Sequence, residues 1–202
     1  MTVPQKIRKH RKAHSRERLI TAAGKLFAEF GYDDTTLESV ADMAGLHVQT
    51  LYRHFPTKDE LSASLMHENL TRFETFFHAR ECDALGAWRD WVERTARAGV
   101  RHQGVPRHHA WWGAPTVSTK LLEYWDRYQI VLAQGIAEDM GVDIATDMRP
   151  ILIACMLWGG NHQAHVAWTK AGRRDGDSYV AALLRVVDTV REQFPDLLAS
   201  AS

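Results

Sequence analysis

Apolar residues recur along this chain with a period near 3.6, and alternating strand patterns are nearly absent. From Ser15 to Phe30 they fall on one face, as Leu19, Ala22, Ala23, Leu26, Phe27 and Phe30, and Gly31 follows as a stop. Thr35 and Glu38 have capping-box spacing and open a second helix, which Gly45 ends. A short helix over Val48–Phe55 follows. Thr57 and Glu60 repeat the capping signature after Pro56 and open a longer helix. Beyond residue 80 the pattern predicts helices over 84–101, 106–112, 117–139, 148–171 and 176–193. Gly104-Val105-Pro106, Gly113-Ala114-Pro115, Gly141 and residues 172–176 are the breaks. Pro150 lies in the first turn of the helix opened by Asp147, where a missing N–H costs little, and Asp175 or Asp177 caps the last helix. The pattern predicts an all-α protein with a small N-terminal unit and a larger helical C-terminal domain, without repeats of solenoid length.

Composition narrows the class. The 202 residues are 45% hydrophobic and 25% charged, the balance of a globular protein and not of a disordered chain. The longest apolar run, Ile151 to Gly160, is too short to span a bilayer. No apolar stretch follows the basic start as a secretory signal requires, so a cytoplasmic location is expected. Cys82 and Cys155 stand alone, which excludes a disulfide framework or thiolate zinc site.

The net charge of zero hides an asymmetry. Residues 1–18 carry Lys6, Arg8, Lys9, Arg11, Lys12, Arg16 and Arg18 against Glu17, a net +6. Residues 1–61 are +2 and the remainder −2. A basic arm on a near-neutral body reads as a local polyanion contact or as a solvated tail.

Residues 37–56 have helix-turn-helix layout. Ala41 is small enough for a helix crossing, Gly45 suits the turn, and Val40, Ala44, Leu46 and Leu51 fix the angle between the helices. Such a pair can set its second helix in a major groove, and a helical hairpin in any bundle uses the same spacing. A longer pattern is more specific. It runs Leu26-Phe27-x-x-Phe30-Gly31-Tyr32, Thr35-Thr36, Val40-Ala41, Ala44-Gly45-Leu46, then Leu51-Tyr52-Arg53-His54-Phe55-Pro56-Thr57-Lys58-Asp59-Glu60-Leu61. Over about residues 15–65 it resembles the DNA-binding domain of TetR-family transcriptional regulators.

The resemblance implies a three-helix DNA-binding head on a helical domain that dimerises and binds an effector. The implied units are a basic arm over 1–14, a head over 15–61 and an effector and dimerisation domain over 62–202. The implied partners are a double-stranded operator, a small apolar, aromatic or acyl-bearing molecule and a second copy of the chain, with no membrane. By position, Thr36 and Leu37 lie near the DNA backbone. His47, Val48, Gln49, Thr50, Tyr52, Arg53 and His54 cover the recognition helix and its approach. Tyr52, His54 and Lys58 correspond to phosphate contacts. Gln49 can read adenine and Thr50 a thymine methyl. Phe55 reads as core. Position 47 is often a small hydroxyl residue in the family, and here it is His. The arm then gains a use along the duplex through counterion release.

All seven Trp lie beyond the head. Ordinary core accounts for any one of them, and a ligand cavity accounts for the group. The candidate lining is Trp88, Trp91, Trp111, Trp112, Tyr124, Tyr128, Trp158 and His162. Tyr124 and Tyr128 share a helix face, as do Trp158 and His162. Residues 121–192 weakly resemble the C-terminal domain of regulators that bind acyl-CoA-like ligands. His162 and His165 have the spacing of two metal ligands, but no carboxylate or thiolate matches them, so no metal is expected. No cofactor is expected either. Val180, Leu183, Leu184, Val187 and Val190 form one apolar stripe, and Gly160, Ala164, Ala167 and Ala171 a small-residue face. Both are candidates for a dimer surface or for packing within the chain. Without a phosphate loop, nucleophile elbow or carboxylate pair, no enzyme is expected. The leading expectation is a homodimeric repressor released from its operator by an effector. The rival is a helical small-molecule binder or enzyme with a vestigial head.

Overall fold

The computed structural model describes residues 3–103, 119–171 and 175–194, and every regular element among them is a helix. In chain order these are α1 (Val3–Phe30), α2 (Leu37–Met43), α3 (Val48–His54), α4 (Lys58–His78), α5 (Ala84–Gln103), α6 (Thr119–Met140), α7 (Arg149–Lys170) and α8 (Gly176–Gln193). The short helix expected over 106–112 lies outside the described residues. No helix among the described residues is long and apolar enough to cross a membrane.

The helix ends follow from side-chain chemistry. Gly31, Gly45 and Gly141 adopt φ of 88°, 61° and 64°, where a Cβ would be strained, and each ends a helix. Thr57 caps α4 by accepting the N–H of Glu60 at 3.2 Å, and Asp175 caps α8 through the N–H groups of Asp177 and Ser178. The box at α2 sits one residue later than its spacing predicts. Thr36 and Ser39 form it, because Thr35 is buried and donates its hydroxyl to Gly31 O at 2.7 Å. Helix α1 begins at Val3, twelve residues before the expected start at Ser15. The apolar stripe marks only the packed part of this helix. The basic stretch before it continues as helix because Lys, Arg, Gln and Ala favour that state.

Two cores organise these elements. Leu19, Ile20, Ala23, Phe27, Val40, Ala41, Leu51 and Phe55 build the head with Leu61 and Leu65 of α4. Leu70, Phe73 and Phe77, further along α4, enter the second core with residues of α5 to α8. One continuous helix therefore belongs to both. The α8 stripe of Val180, Leu183, Leu184, Val187 and Val190 is buried in this second core. That corrects its expected role as a dimer surface, since the partner that covers it is its own chain. Gly160 likewise serves the chain itself, because a Cβ there would stand 2.5 Å from Val186 of α8. Among the apolar side chains left exposed, Met148, Leu152 and Met156 stand four residues apart at 70%, 54% and 44% exposure.

Gly135 lets α6 approach α4. A Cβ there would lie 2.5 and 2.7 Å from atoms of the buried Phe77 ring, whereas one at Gly99 meets nothing. Gly135→Ala is expected to destabilise by about 1–3 kcal/mol through overpacking, despite the better helix propensity of Ala. Gly99→Ala is expected to stabilise by up to about 1 kcal/mol. Denaturant unfolding of the two variants checks both signs.

Candidate nucleic-acid interface and aromatic core

The helix-turn-helix is built by buried small residues. Ala41 is fully buried where α2 meets α3, and Gly45 turns the chain between them. Arg18 of α1 closes the turn by donating to Ala44 O at 2.5 Å. With the pair fixed, α3 presents Gln49, Tyr52 and Arg53 on one exposed face, at the spacing of adjacent helical turns. Thr50 and His54 flank that face half-buried, and Arg53 donates to Thr50 Oγ1 at 3.4 Å. Val48 and Leu37 are half-buried against the head core, so they position the helices. The Thr36 hydroxyl accepts from Ser39 N at 3.1 Å as a cap.

His47 also caps. Its Nδ1 accepts the N–H of Gln49 at 3.2 Å, so this imidazole fills the place that a hydroxyl often takes in the family. Tyr52 donates its hydroxyl to Glu38 Oε1 at 3.0 Å, and that hydrogen bond pushes the phenol pKa up. Burial, then the positive charges of Lys12, Arg53 and Arg16, push His54 below the usual imidazole range. Those charges show that the α1 extension lies beside the end of the recognition helix. Arg16 adds a cation–π contact 5.3 Å from the Phe55 ring and pairs with Glu68 at 3.5 Å.

Lys58, expected from the resemblance to contact a phosphate, is bonded within the head in the free chain. Its ammonium donates to Tyr32 O at 2.8 Å, Thr35 O at 3.0 Å and Asp33 O at 3.3 Å, and lies 4.4 Å from the Tyr32 ring centroid. An ammonium has three hydrogens, so the α1–α2 loop occupies them all. Tyr32 in turn donates to Asp59. In this structure Lys58 ties that loop to α4, and a phosphate would have to displace carbonyls that hold the head together.

In the second core Trp88, Trp91, Tyr128 and Trp158 gather around Phe73. Phe73 stacks on Tyr128 at 4.9 Å, Tyr128 on Trp158 at 4.7 Å, and Trp88 meets Phe73 edge-on at 5.6 Å. Trp91 lies 5.3 Å from Phe73. Tyr124 faces α4 as well, 6.3 Å from His67, as its spacing from Tyr128 predicts. His162 instead faces Trp125, 6.5 Å away. Trp111 and Trp112 lie outside the described residues.

Sequence reasoning missed Phe73 and the polar links around it. Trp88 Nε1 donates to Asn161 Oδ1 at 2.9 Å, and Asn161 Nδ2 donates to Leu183 O at 2.7 Å. His165 Nδ1 meets Tyr179 Oη at 3.0 Å, and burial pushes the Tyr179 phenol up to about 12. The aromatic spacing of Phe73 and Phe77 on α4 was the available signal. Among the described residues no group of three or more His, Cys, Asp or Glu can hold a metal. Arg97 pairs with Glu93 at 2.8 Å on the surface.

With this geometry, the pattern of bacterial regulatory proteins of the tetR family matches residues 19–65. Residues 19–65 therefore form the N-terminal domain of the tetR family of bacterial regulatory proteins. The chain is 26% identical over 203 residues to the HTH-type transcriptional regulator TcmR of Streptomyces glaucescens, covering 96% of this chain and 88% of that one. It is 34% identical over 103 residues to the HTH-type transcriptional repressor KstR2 of Mycobacterium tuberculosis, covering 47% and 46% of the two chains. The crystal structure of the regulator FadR from Bacillus subtilis in complex with stearoyl-CoA superposes with a TM-score of 0.62 at 19% identity, covering 86% of this chain and 96% of that one.

The polar groups of the head are largely engaged with one another. Lys58→Ala is expected to lower stability by about 1–3 kcal/mol, because the partly buried carbonyls of Tyr32 and Thr35 lose a charged donor. The salt slope of DNA binding is expected to stay unchanged. A urea titration and a salt series of duplex binding measure the two effects; a slope flatter by about one unit would restore Lys58 as a phosphate ligand.

Proposed function

We propose that this protein is a homodimeric TetR-family repressor that leaves its operator when an apolar, aromatic or acyl-bearing effector enters the C-terminal domain. The exposed Gln49-Tyr52-Arg53 face, with the cationic α1 extension beside its end, carries the reading. Gln49 reads a base edge, Thr50 and Arg53 contact the groove, and Tyr52 and His54 reach phosphates. Arg11 and Lys12 of α1 follow the DNA backbone. Binding DNA makes Tyr52 exchange Glu38 for a phosphate oxygen. Such a regulator works in the cytoplasm.

The twofold mate packs on the row of Met148, Leu152 and Met156, which is exposed in one chain and apolar. Two heads so related read half-sites about 34–36 Å apart, or a multiple of that distance. The effector site lies at the cluster of Trp88, Trp91, Tyr128 and Trp158, bordered by Tyr124 and His162. Trp111 and Trp112 remain candidates on sequence grounds. The stearoyl-CoA in the Bacillus subtilis FadR complex supports this reading, as does the likeness to the Mycobacterium tuberculosis transcriptional repressor. Release follows if the effector favours the state with the wrong head spacing. A swing from mostly bound to mostly free requires about 5.5 kcal/mol of such preference.

Leu152→Asp is expected to give a folded monomer in sedimentation, with duplex affinity lost in parallel. A dimer of unchanged strength would move the interface off α7. For the effector, stearoyl-CoA and a fused-ring aromatic are the probes. A probe that releases duplex is expected to change tryptophan emission over the same concentration range, and Trp158→Leu to weaken both responses together. Release with unaltered emission would take the effector out of the aromatic core.

A further inference from the structure

The cap of the recognition helix is made by a group that can lose its acceptor. His47 has extended backbone, with φ −67° and ψ 139°, and its carbonyl accepts the N–H of Thr50 at 2.8 Å. Its Nδ1 accepts the N–H of Gln49 at 3.2 Å. An imidazole accepts at Nδ1 only when its single proton sits on Nε2. The structure therefore implies the neutral Nε2–H tautomer. The caps of α2 and α4 are threonine hydroxyls, which accept at any ordinary pH.

Protonation reverses the interaction. An Nδ1–H would face the Gln49 N–H, donor against donor, and a positive charge would sit at the positive end of the α3 dipole. The residue whose amide is held this way is Gln49, the first exposed member of the reading face. We propose that His47 is a positioning residue for the recognition helix, whose neutral form caps α3 and aligns Gln49, so that operator binding weakens as the imidazole becomes protonated. The inference rests on the operator-binding reading above.

The charged groups around the cap come from α1, α2 and α3 itself. α1 and α2 are the elements packed against α3. From α1, Arg18 donates to Ala44 O; from α2, Glu38 accepts from Tyr52, and Asp42 is exposed at the turn. On α3 itself Arg53 donates to Thr50, and His54 sits at the opposite end beside Lys12 and Arg16. His54 titrates in any variant that keeps it, so a comparison at position 47 cancels its contribution. A direct phosphate contact by His47 predicts the opposite sign, because a cationic ring would bind DNA more tightly.

The test uses the full chain and a duplex selected on it from a random pool. Binding is measured from pH 8 to 5.5 at constant ionic strength for the wild type, His47→Asn and His47→Ala. Asn keeps an acceptor at the cap and does not titrate. On acidification the wild type is expected to lose about five-fold more affinity than His47→Asn, the worth of one cap. His47→Ala is expected to be weak by a similar factor at every pH. In the DNA-free chain, 15N imidazole shifts at pH 8 are expected to show His47 protonated on Nε2. An Nδ1–H tautomer would overturn the proposal, as would parallel pH profiles for wild type and His47→Asn. A wild-type affinity that rises on acidification relative to His47→Asn would make His47 a phosphate contact instead. The expected tautomer in a chain that retains no duplex at any pH would overturn the operator-binding reading, and this proposal with it.

Discussion

One helix belongs to two cores. Leu61 and Leu65 of α4 are packed in the head, and Leu70, Phe73 and Phe77 are packed with α5 to α8. Protein interiors are close-packed, so a helix held at both ends moves as a rod or not at all. Its far end is pinned most tightly. Phe77 presses on Gly135, and Arg80 lies over Phe77 at 4.7 Å while bonding Glu138 at 2.6 Å. Next to it, Asp83 bonds both nitrogens of Arg191, which outweighs burial and holds its carboxyl below the usual range. Phe73, the centre of the aromatic cluster, lies between this fixed end and the head. A ligand that displaces Phe73 therefore acts on the same rigid element that carries the helix-turn-helix.

The head divides its polar groups between self-assembly and recognition. Lys58, Arg18 and Thr36 satisfy backbone groups at helix ends and loops, and these bonds set where α3 points. Gln49 and Arg53 remain on the exposed face, where the proposed operator contacts would be made. Tyr52 stands between the two roles, bonded to Glu38 in the free head, with a phosphate replacing that carboxylate in the proposed complex. DNA affinity is then a difference between contacts made to DNA and contacts released within the head. The α1 extension adds attraction that depends on salt and little on sequence.

Much of the fold was legible because helix ends are written locally. Gly31, Gly45, Gly141, Thr57 and Asp175 act through their own conformational or hydrogen-bonding preferences, and the structure uses each of them. The start of α1 was missed because periodicity is visible only where one face is buried, and the basic stretch before Ser15 needs no such face to be helical. The α8 stripe showed that some surface covers it. The pattern carries no information on whether that surface is the same chain, and here it is. Lys58 was assigned to a phosphate from its place in a motif, and a motif does not show the carbonyls it bonds in the free chain, which come from a loop more than twenty residues away. His47 departed from the family pattern, yet its ring supplies the same acceptor by another atom.

The central claim is that α4 makes the two cores one mechanical unit. Trp88, Trp91, Trp125, Trp158 and Trp168 all lie in or against the second core, so their emission reports on it. Leu61 is fully buried in the head, and Leu61→Ala removes packing there alone, at a cost of about 2–5 kcal/mol. The decisive measurement is urea unfolding of this variant at fixed protein concentration, followed by tryptophan emission and by far-ultraviolet circular dichroism. If α4 couples the cores, the emission midpoint shifts as far as the dichroism midpoint, and the two curves coincide. A head that melts early while the emission transition stays at its wild-type midpoint would contradict the account.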